Sequence, residues 1–207
     1  MKIEPNNVYC IDAKEGFKHL EKNSVTLILT DPPYINDGMK TYNFLAYDSY
    51  NCLKPWGNLI FEASQFRLNY IFNLMNKSFY LYYYILFRYY LPHTPKAVLK
   101  CRNIINSGQS MLWYKKDFSY KSNPIEDFIP DFSEDNILKP YHKWQKNLAP
   151  YEYIIRILTN EGDLILDPFC GSGTTLLVCK KLNRRYIGFD IDPKAVQIAK
   201  ERLGQDL

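Results

Sequence analysis

Short apolar runs separated by amphipathic stretches recur along the chain. Val8-Tyr9-Cys10-Ile11-Asp12, Val25-Thr26-Leu27-Ile28-Leu29-Thr30, Asn58-Leu59-Ile60-Phe61-Glu62, Leu164-Ile165-Leu166 and Arg185-Tyr186-Ile187-Gly188-Phe189 read as strands, because runs of this length and β-branched content suit strands buried in a sheet. Between them, Ala13 to Glu21 reads as a helix with Phe17 and Leu20 inward, and Phe44 to Cys52, Phe66 to Met75 and Thr175 to Leu182 read as further helices. Asp192-Pro193 opens a last helix with Pro193 in its first turn and Ala195, Val196, Ile198, Ala199 and Leu203 on one face. Residues 35–43 are expected to be loop and Pro55-Trp56-Gly57 a turn. Such alternation predicts an α/β fold, a parallel sheet covered by helices. From Phe79 the pattern changes: Phe79 to Leu91 is dense in Tyr, Phe and Leu, Ser110 to Tyr114 is shorter, and both read as strands. An aromatic tract of this β propensity is expected in the core rather than stacked on nucleic-acid bases.

Two loops carry candidate chemistry. Asp31-Pro32-Pro33-Tyr34 follows the run ending at Thr30. By itself it is as readily an ordinary turn after a strand. As a site, it could hold an exocyclic amino group, whose lone pair is delocalised into its ring: the Asp31 carboxylate and the Pro32 carbonyl would accept the two amino hydrogens, and Tyr34 would stack on the base. The second loop, Asp167-Pro168-Phe169-Cys170-Gly171-Ser172-Gly173-Thr174, lies between a strand and a helix. Glycines there admit close backbone approach, and helix N–H groups favour a carboxylate. Asp190 stands at the end of the next strand, about 20 residues on, the spacing at which an acid meets ribose hydroxyls. An adenosine ligand is implied, and the coincidence of the two loops favours the site over the turn.

The constellation resembles the DNA amino-methyltransferases that use S-adenosylmethionine, in their β group, because the tetrapeptide precedes the glycine turn by more than a hundred residues. That is a circularly permuted order. The resemblance covers roughly residues 8 to 90 and 141 to 203. His142-Lys143-Trp144-Gln145-Lys146, followed by Leu148 to Leu158, is similar to the family's segment upstream of the cofactor strand, with Lys143 and Asn147 in place of prolines. Val8 to Asp12 resembles the family's strand ending in Gly-Asp, with Ile11 in place of the glycine. The resemblance implies a Rossmann-like methyltransferase fold, mostly parallel with an antiparallel edge hairpin, and a catalytic loop of Asp31, Pro32, Pro33 and Tyr34. It implies S-adenosylmethionine as cofactor, held by Asp12 on its adenine side, Asp31, Asp167, Phe169, Gly171, Ser172, Gly173, Thr174 and Asp190, with Gln145 and Lys146 at its methionine end.

Composition bounds the rest. At 207 residues and 46% hydrophobic, the chain suits a single domain, 1–207, with a small target-recognition insertion over about 92–140. Cysteines 10, 52, 101, 170 and 179 are odd in number and lack a Cys-x-x-Cys pair, which argues against a disulfide framework or a metal site. No basic-then-apolar leader stands at Met1 to Pro5, and the apolar run Phe79 to Phe87 is short of the roughly 20 residues that a membrane helix requires. Cytoplasm is the default. Net charge is only +4, but residues 88–122 hold seven basic side chains against Asp117 alone. Lys96, Lys100 and Arg102 in that stretch are candidates for DNA phosphates, with a solvated surface as an equally weighted alternative. Residues 123–135 reverse sign. So small an insertion calls for a dimer or a short recognition sequence, with target reading by loops around 35–43 and 92–109.

The expected function is therefore methyl transfer to the N6 amino group of a flipped adenine in DNA. Adenine is favoured because the tetrapeptide begins with Asp31, whereas family members acting on the cytosine amino group usually carry Ser there; cytosine N4 is the alternative. An RNA or protein amino-methyltransferase would show the opposite loop order. A silent nucleic-acid-binding subunit would not need Asp31, Tyr34, Gly171, Gly173 and Asp190 intact.

Overall fold

The computed structural model describes residues 1–33, 38–63, 67–88, 97–99, 104–106, 108–117 and 148–205. Along them run β1 (Asn7–Cys10), α1 (Ala13–Phe17), β2 (Val25–Thr30), α2 (Gly38–Cys52), β3 (Leu53–Glu62), α3 (Leu68–Met75), β4 (Tyr80–Arg88), β5 (Ala97–Leu99), β6 (Ile104–Asn106), β7 (Gly108–Lys115), α4 (Leu148–Leu158), β8 (Leu164–Asp167), α5 (Thr174–Lys181), β9 (Arg185–Asp190) and α6 (Pro193–Leu203). Seven strands form one sheet in the order β1-β9-β8-β2-β3-β7-β4. The first five are mutually parallel, and β7 runs antiparallel to both β3 and β4. The mostly parallel α/β sheet with an antiparallel edge is thus the one the sequence predicts.

All six residues of β2 are buried, as a central strand covered on both faces must be. Alternation divides the core between the two faces. Leu27, Leu29, Ile60, Ile165, Met111 and Trp113 pack with Tyr151, Ile154 and Ile155 of α4, Leu176 of α5 and Val196 of α6. Ile28, Leu59, Phe61, Leu112 and Tyr114 pack with Phe17, Tyr42, Leu45, Ile71 and Met75 on the other side. Each such Leu, Ile or Phe contributes about 1.5–3 kcal/mol by leaving water. The aromatic tract supplies Phe79 to this core, whose ring lies edge-on to Tyr114 at 6.4 Å. Polar groups that the packing encloses find partners: Trp113 Nε1 donates to Asn58 Oδ1 at 2.8 Å. At the amino ends of the strands, Lys54 Nζ donates to Thr26 Oγ1 and to Asp163, joining β3, β2 and the approach to β8.

Several expected boundaries are corrected. Residues 38–43 are not loop: α2 begins at Gly38, because Tyr42 and Leu45 need one helical face to reach the core. The Pro55-Trp56-Gly57 segment is not a turn before a strand but a bulge within β3, which already pairs Val25 with Leu53 and resumes with Leu27 opposite Asn58. The first helix stops at Phe17, since the N–H groups of Lys18, His19 and Leu20 bond three residues back. Helix α3 begins at Leu68 rather than Phe66, α5 one residue early at Thr174, and within 92–109 the strands β5 and β6 pair antiparallel where only loop was expected.

Candidate active site at the carboxyl ends of the parallel strands

Each of the five parallel strands ends at or just before an acidic residue. Across the sheet these are Asp12 after β1, Asp190 of β9, Asp167 of β8, Asp31 after β2 and Glu62 of β3. Open α/β sheets bind ligands at this edge.

Asp167 is the most constrained of them. It is buried, and its Oδ1 accepts from Thr30 Oγ1 at 2.7 Å and from the Phe169 N–H at 3.2 Å. Burial pushes its carboxyl up to about 6; hydrogen bonds from Thr175, Thr30 and the Phe169 N–H offset part of that rise, and the nearby charge of Asp190 adds to it. One carboxylate therefore fastens β2, β8 and the start of α5 together. The same surroundings push the Cys170 thiol up, chiefly by burial, so this cysteine is inert packing rather than a nucleophile.

The turn that follows is set by backbone geometry. Gly171 and Gly173 have φ of +49° and +79°, values L residues rarely adopt. A Cβ on Gly173 would also lie 3.0 Å from Cβ of Ala199, so this glycine lets the turn close onto α6. Asp190 holds the turn from below: its Oδ2 accepts from the Gly171 N–H at 2.8 Å, and its Oδ1 from the Asp192 N–H at 2.9 Å. Ser172 is held from α6, where Arg202 Nη1 donates to its carbonyl and, at 3.1 Å, to its Oγ. Thr174 is buried at the first turn of α5. Phe169 is half-buried, and its ring lies 6.1 Å from Phe44 of α2.

Asp12 is exposed and caps α1, its Oδ1 accepting from the Lys14 N–H at 2.9 Å and the Glu15 N–H at 3.4 Å. With Lys40, Thr41, Phe44, Tyr47 and Asp48 it lines an open cleft of about 700 Å³. Asp31 is half-buried, Pro32 buried and Pro33 exposed. Asp31 and Asp167 thus stand on neighbouring strands, Ile28 of β2 being level with Leu166 of β8. Tyr34, Gln145, Lys146, Lys96, Lys100 and Arg102 lie outside the described residues.

Sequence reasoning did not single out four residues that the structure brings here: Thr30, Arg202, Glu62 and Tyr151. Glu62 is fully buried at the end of β3, and its Oε1 accepts from the Tyr151 hydroxyl of α4 at 2.9 Å. Burial, with the charges of Glu62, Asp31 and Asp167, pushes the Tyr151 phenol well up, so it remains a neutral donor. A signal for Glu62 existed: Phe61-Glu62 ends an apolar run just as Phe189-Asp190 does. Tyr151 carried none, since one tyrosine on an amphipathic helix is ordinarily packing.

Comparison with known proteins is consistent across sequence and fold. Residues 109–201 match the model of a DNA methylase family. The type II methyltransferase M.HpaI of Haemophilus parainfluenzae is 28% identical over an alignment spanning 95% of this chain and 74% of the relative. Among solved structures, M1.HpyAVI in complex with SAM superposes with a TM-score of 0.78 at 29% identity, covering 95% of this chain and 98% of that one. The cytosine-N4-specific PvuII DNA methyltransferase, at 20% identity, shares the fold with a TM-score of 0.80 over 97% of this chain and 87% of its own. By its matched segment, its relatives, its sheet order and the order of its two loops, the chain is similar to the DNA methylases, with the motif order of the β group.

Proposed function

We propose that the chain transfers a methyl group from S-adenosylmethionine to the N6 amino group of an adenine in DNA. The observation that carries this reading is the placement of Asp31 at the head of β2, beside β8, whose glycine turn is held by Asp190. The site fits the cofactor's chemistry: two positive-φ glycines open a backbone cradle, and a carboxylate row suits a ligand carrying a sulfonium. Asp190 retains a lone pair on each oxygen for ribose hydroxyls, and Asp12 borders the cleft assigned to the adenine end. Phe169, Gly171, Ser172, Gly173 and Thr174 form the turn around the ligand, with Gln145 and Lys146 assigned to its methionine end. When bound, the cofactor supplies the methyl group.

The chain's own residues would act on the base. A target inside a duplex is out of reach, so it is flipped into the pocket at an unstacking cost of a few kcal/mol. Asp31 and the Pro32 carbonyl then accept the two amino hydrogens, Tyr34 stacks on the ring, and Pro33 shapes the loop. Orientation and electrostatic complementarity supply the rate, with no covalent enzyme intermediate. Asp31 can take the proton that the methylated nitrogen sheds. Lys96, Lys100 and Arg102 are assigned to phosphates. Adenine is preferred to cytosine because the loop begins with Asp31.

Methyl transfer to DNA and RNA, followed by nucleoside analysis of the product, tests the reading. N6-methyladenine from DNA is expected, with turnover falling by at least a thousandfold in Asp31→Ala. N4-methylcytosine would reverse the base assignment, and undiminished single-turnover methylation by folded Asp31→Ala would remove Asp31 from the site.

A further inference from the structure

Thr30 takes no part in the mechanism above, yet it directly precedes Asp31 and is wholly buried. On one side its main chain pairs with Phe61 of β3. On the other, the register of β2 with β8 runs through Leu27–Ile165 and Ile28–Leu166, and past it the two strands are linked by side chains. Thr30 Oγ1 donates to Asp167 Oδ1 at 2.7 Å, and the same oxygen accepts from the Phe169 N–H at 3.2 Å. Thr175, in the first turn of α5, adds a further hydrogen bond to this carboxyl. Above about pH 6 the carboxyl is ionised and can only accept, so the Thr30 hydroxyl hydrogen is directed at it. One buried oxygen atom thus joins the residue before Asp31 to the residue two before Gly171.

We infer that Thr30 is a positioning residue that fixes the height of Asp31 relative to the glycine turn, through its hydrogen bond to the Asp167 carboxylate. This rests on the reading that Asp31 holds the target amino group and the glycine turn holds S-adenosylmethionine. In that reaction the amino nitrogen bonds to the methyl carbon as the carbon–sulfur bond breaks, its electron pair stays on sulfur, and the nitrogen sheds a proton to Asp31. The two reactants are therefore held by different strands, and their approach along the line of attack is set by how the ends of β2 and β8 stand to each other. The Thr30 bond spans that gap one residue from Asp31. A misplacement of about 1 Å can cost on the order of a hundredfold in rate. Cofactor binding before the reaction draws instead on the turn itself, which Asp167 and Asp190 hold through the Phe169 and Gly171 N–H groups.

The test compares the full chain with Thr30→Val, which keeps shape and removes the hydroxyl, and with Thr30→Ser, which keeps the hydroxyl. Two quantities are measured at pH 8: the single-turnover rate of methyl transfer to unmethylated genomic DNA with S-adenosylmethionine saturating, and the calorimetric affinity for S-adenosylmethionine. In Thr30→Val the rate should fall at least tenfold while cofactor affinity changes less than threefold, and Thr30→Ser should restore the rate to within threefold of the parent. A rate within twofold of the parent in Thr30→Val, an equal loss of rate and affinity, or a Thr30→Ser rate as low as that of Thr30→Val would overturn the inference. Should Thr30→Val not fold, Thr30→Ala is read by the same criteria; if neither folds, Thr30 serves the fold alone and the inference is overturned. An unaltered protein that bound no cofactor or methylated no DNA would instead mark the failure of the functional reading.

Discussion

Both oxygens of Asp190 are engaged by backbone N–H groups, from Gly171 and Asp192, so this carboxylate shapes the turn, and the ribose contact proposed for it would use the remaining lone pairs. Charge-assisted bonds to ribose hydroxyls are worth roughly 1.5 to 3 kcal/mol, and Asp190→Ala should weaken S-adenosylmethionine by at least about tenfold in calorimetry. The Gly171 N–H released by the same change should also lower the melting temperature of the ligand-free protein, which a ribose contact alone would not do. Asp167 makes a prediction about pH. Its carboxyl titrates near 6 in the folded chain, above its ordinary 3.8, so the folded state binds the proton more tightly than the unfolded one. Its contribution to stability is therefore greatest below about pH 4 and is lost as pH rises through about 6, amounting to roughly 2 to 3 kcal/mol by linkage. Asp167→Asn should flatten that dependence and raise ligand-free stability at pH 8 in urea denaturation, while weakening the cofactor. A variant as pH-sensitive as the parent would contradict the assignment.

At the scale of elements, the glycine turn depends on how α5 and α6 pack. Gly173→Ala places a methyl 3.0 Å from Cβ of Ala199 at a φ of +79°, combining a close contact with a left-handed backbone; a loss of about 1–3 kcal/mol is expected in denaturant unfolding. Arg202→Ala should lower cofactor affinity with a smaller loss of stability, because Arg202 reaches Ser172 from the far end of α6. The strands were legible in the sequence because β2, β8 and β9 are short, nearly unbroken apolar runs. The start of α2 was not: Asp-Pro-Pro-Tyr is followed, after Ile35, by Asn36, Asp37 and Gly38, residues of local turn chemistry, and only the distant core tells Tyr42 to face inward. The bulge in β3 was hidden for the same reason. Pro55 and Gly57 read locally as a stop, whereas Leu53 pairs with Val25 ahead of them. In the site, the loop residues could be read from spacing. Glu62 carried only the local cue of an acid closing an apolar run, and its meeting with Tyr151 could not be read, since it joins positions 89 residues apart.

For the whole molecule, DNA contact is the least constrained assignment, and charge provides its test. If Lys96, Lys100 and Arg102 all meet phosphates, replacing the three with Gln should lower the slope of log affinity against log salt by about 2.7, from roughly 0.9 per phosphate on a duplex. An unchanged slope would return their charge to a solvated surface. The permuted order has a separate consequence, for the sequence of events in which the chain folds. Strand β1, the first synthesised, hydrogen-bonds in the sheet to β9, and β8 lies between β9 and β2. As synthesis proceeds, β2, β3, β7 and β4 can assemble early, whereas β1 waits for nearly the whole chain and β2 offers an open edge until β8 arrives. Such long-range pairing is slow. Amides of β1 should therefore gain protection from hydrogen exchange after those of β3 and β7 during refolding, and a chain truncated before β8 should aggregate through its uncovered β2 edge.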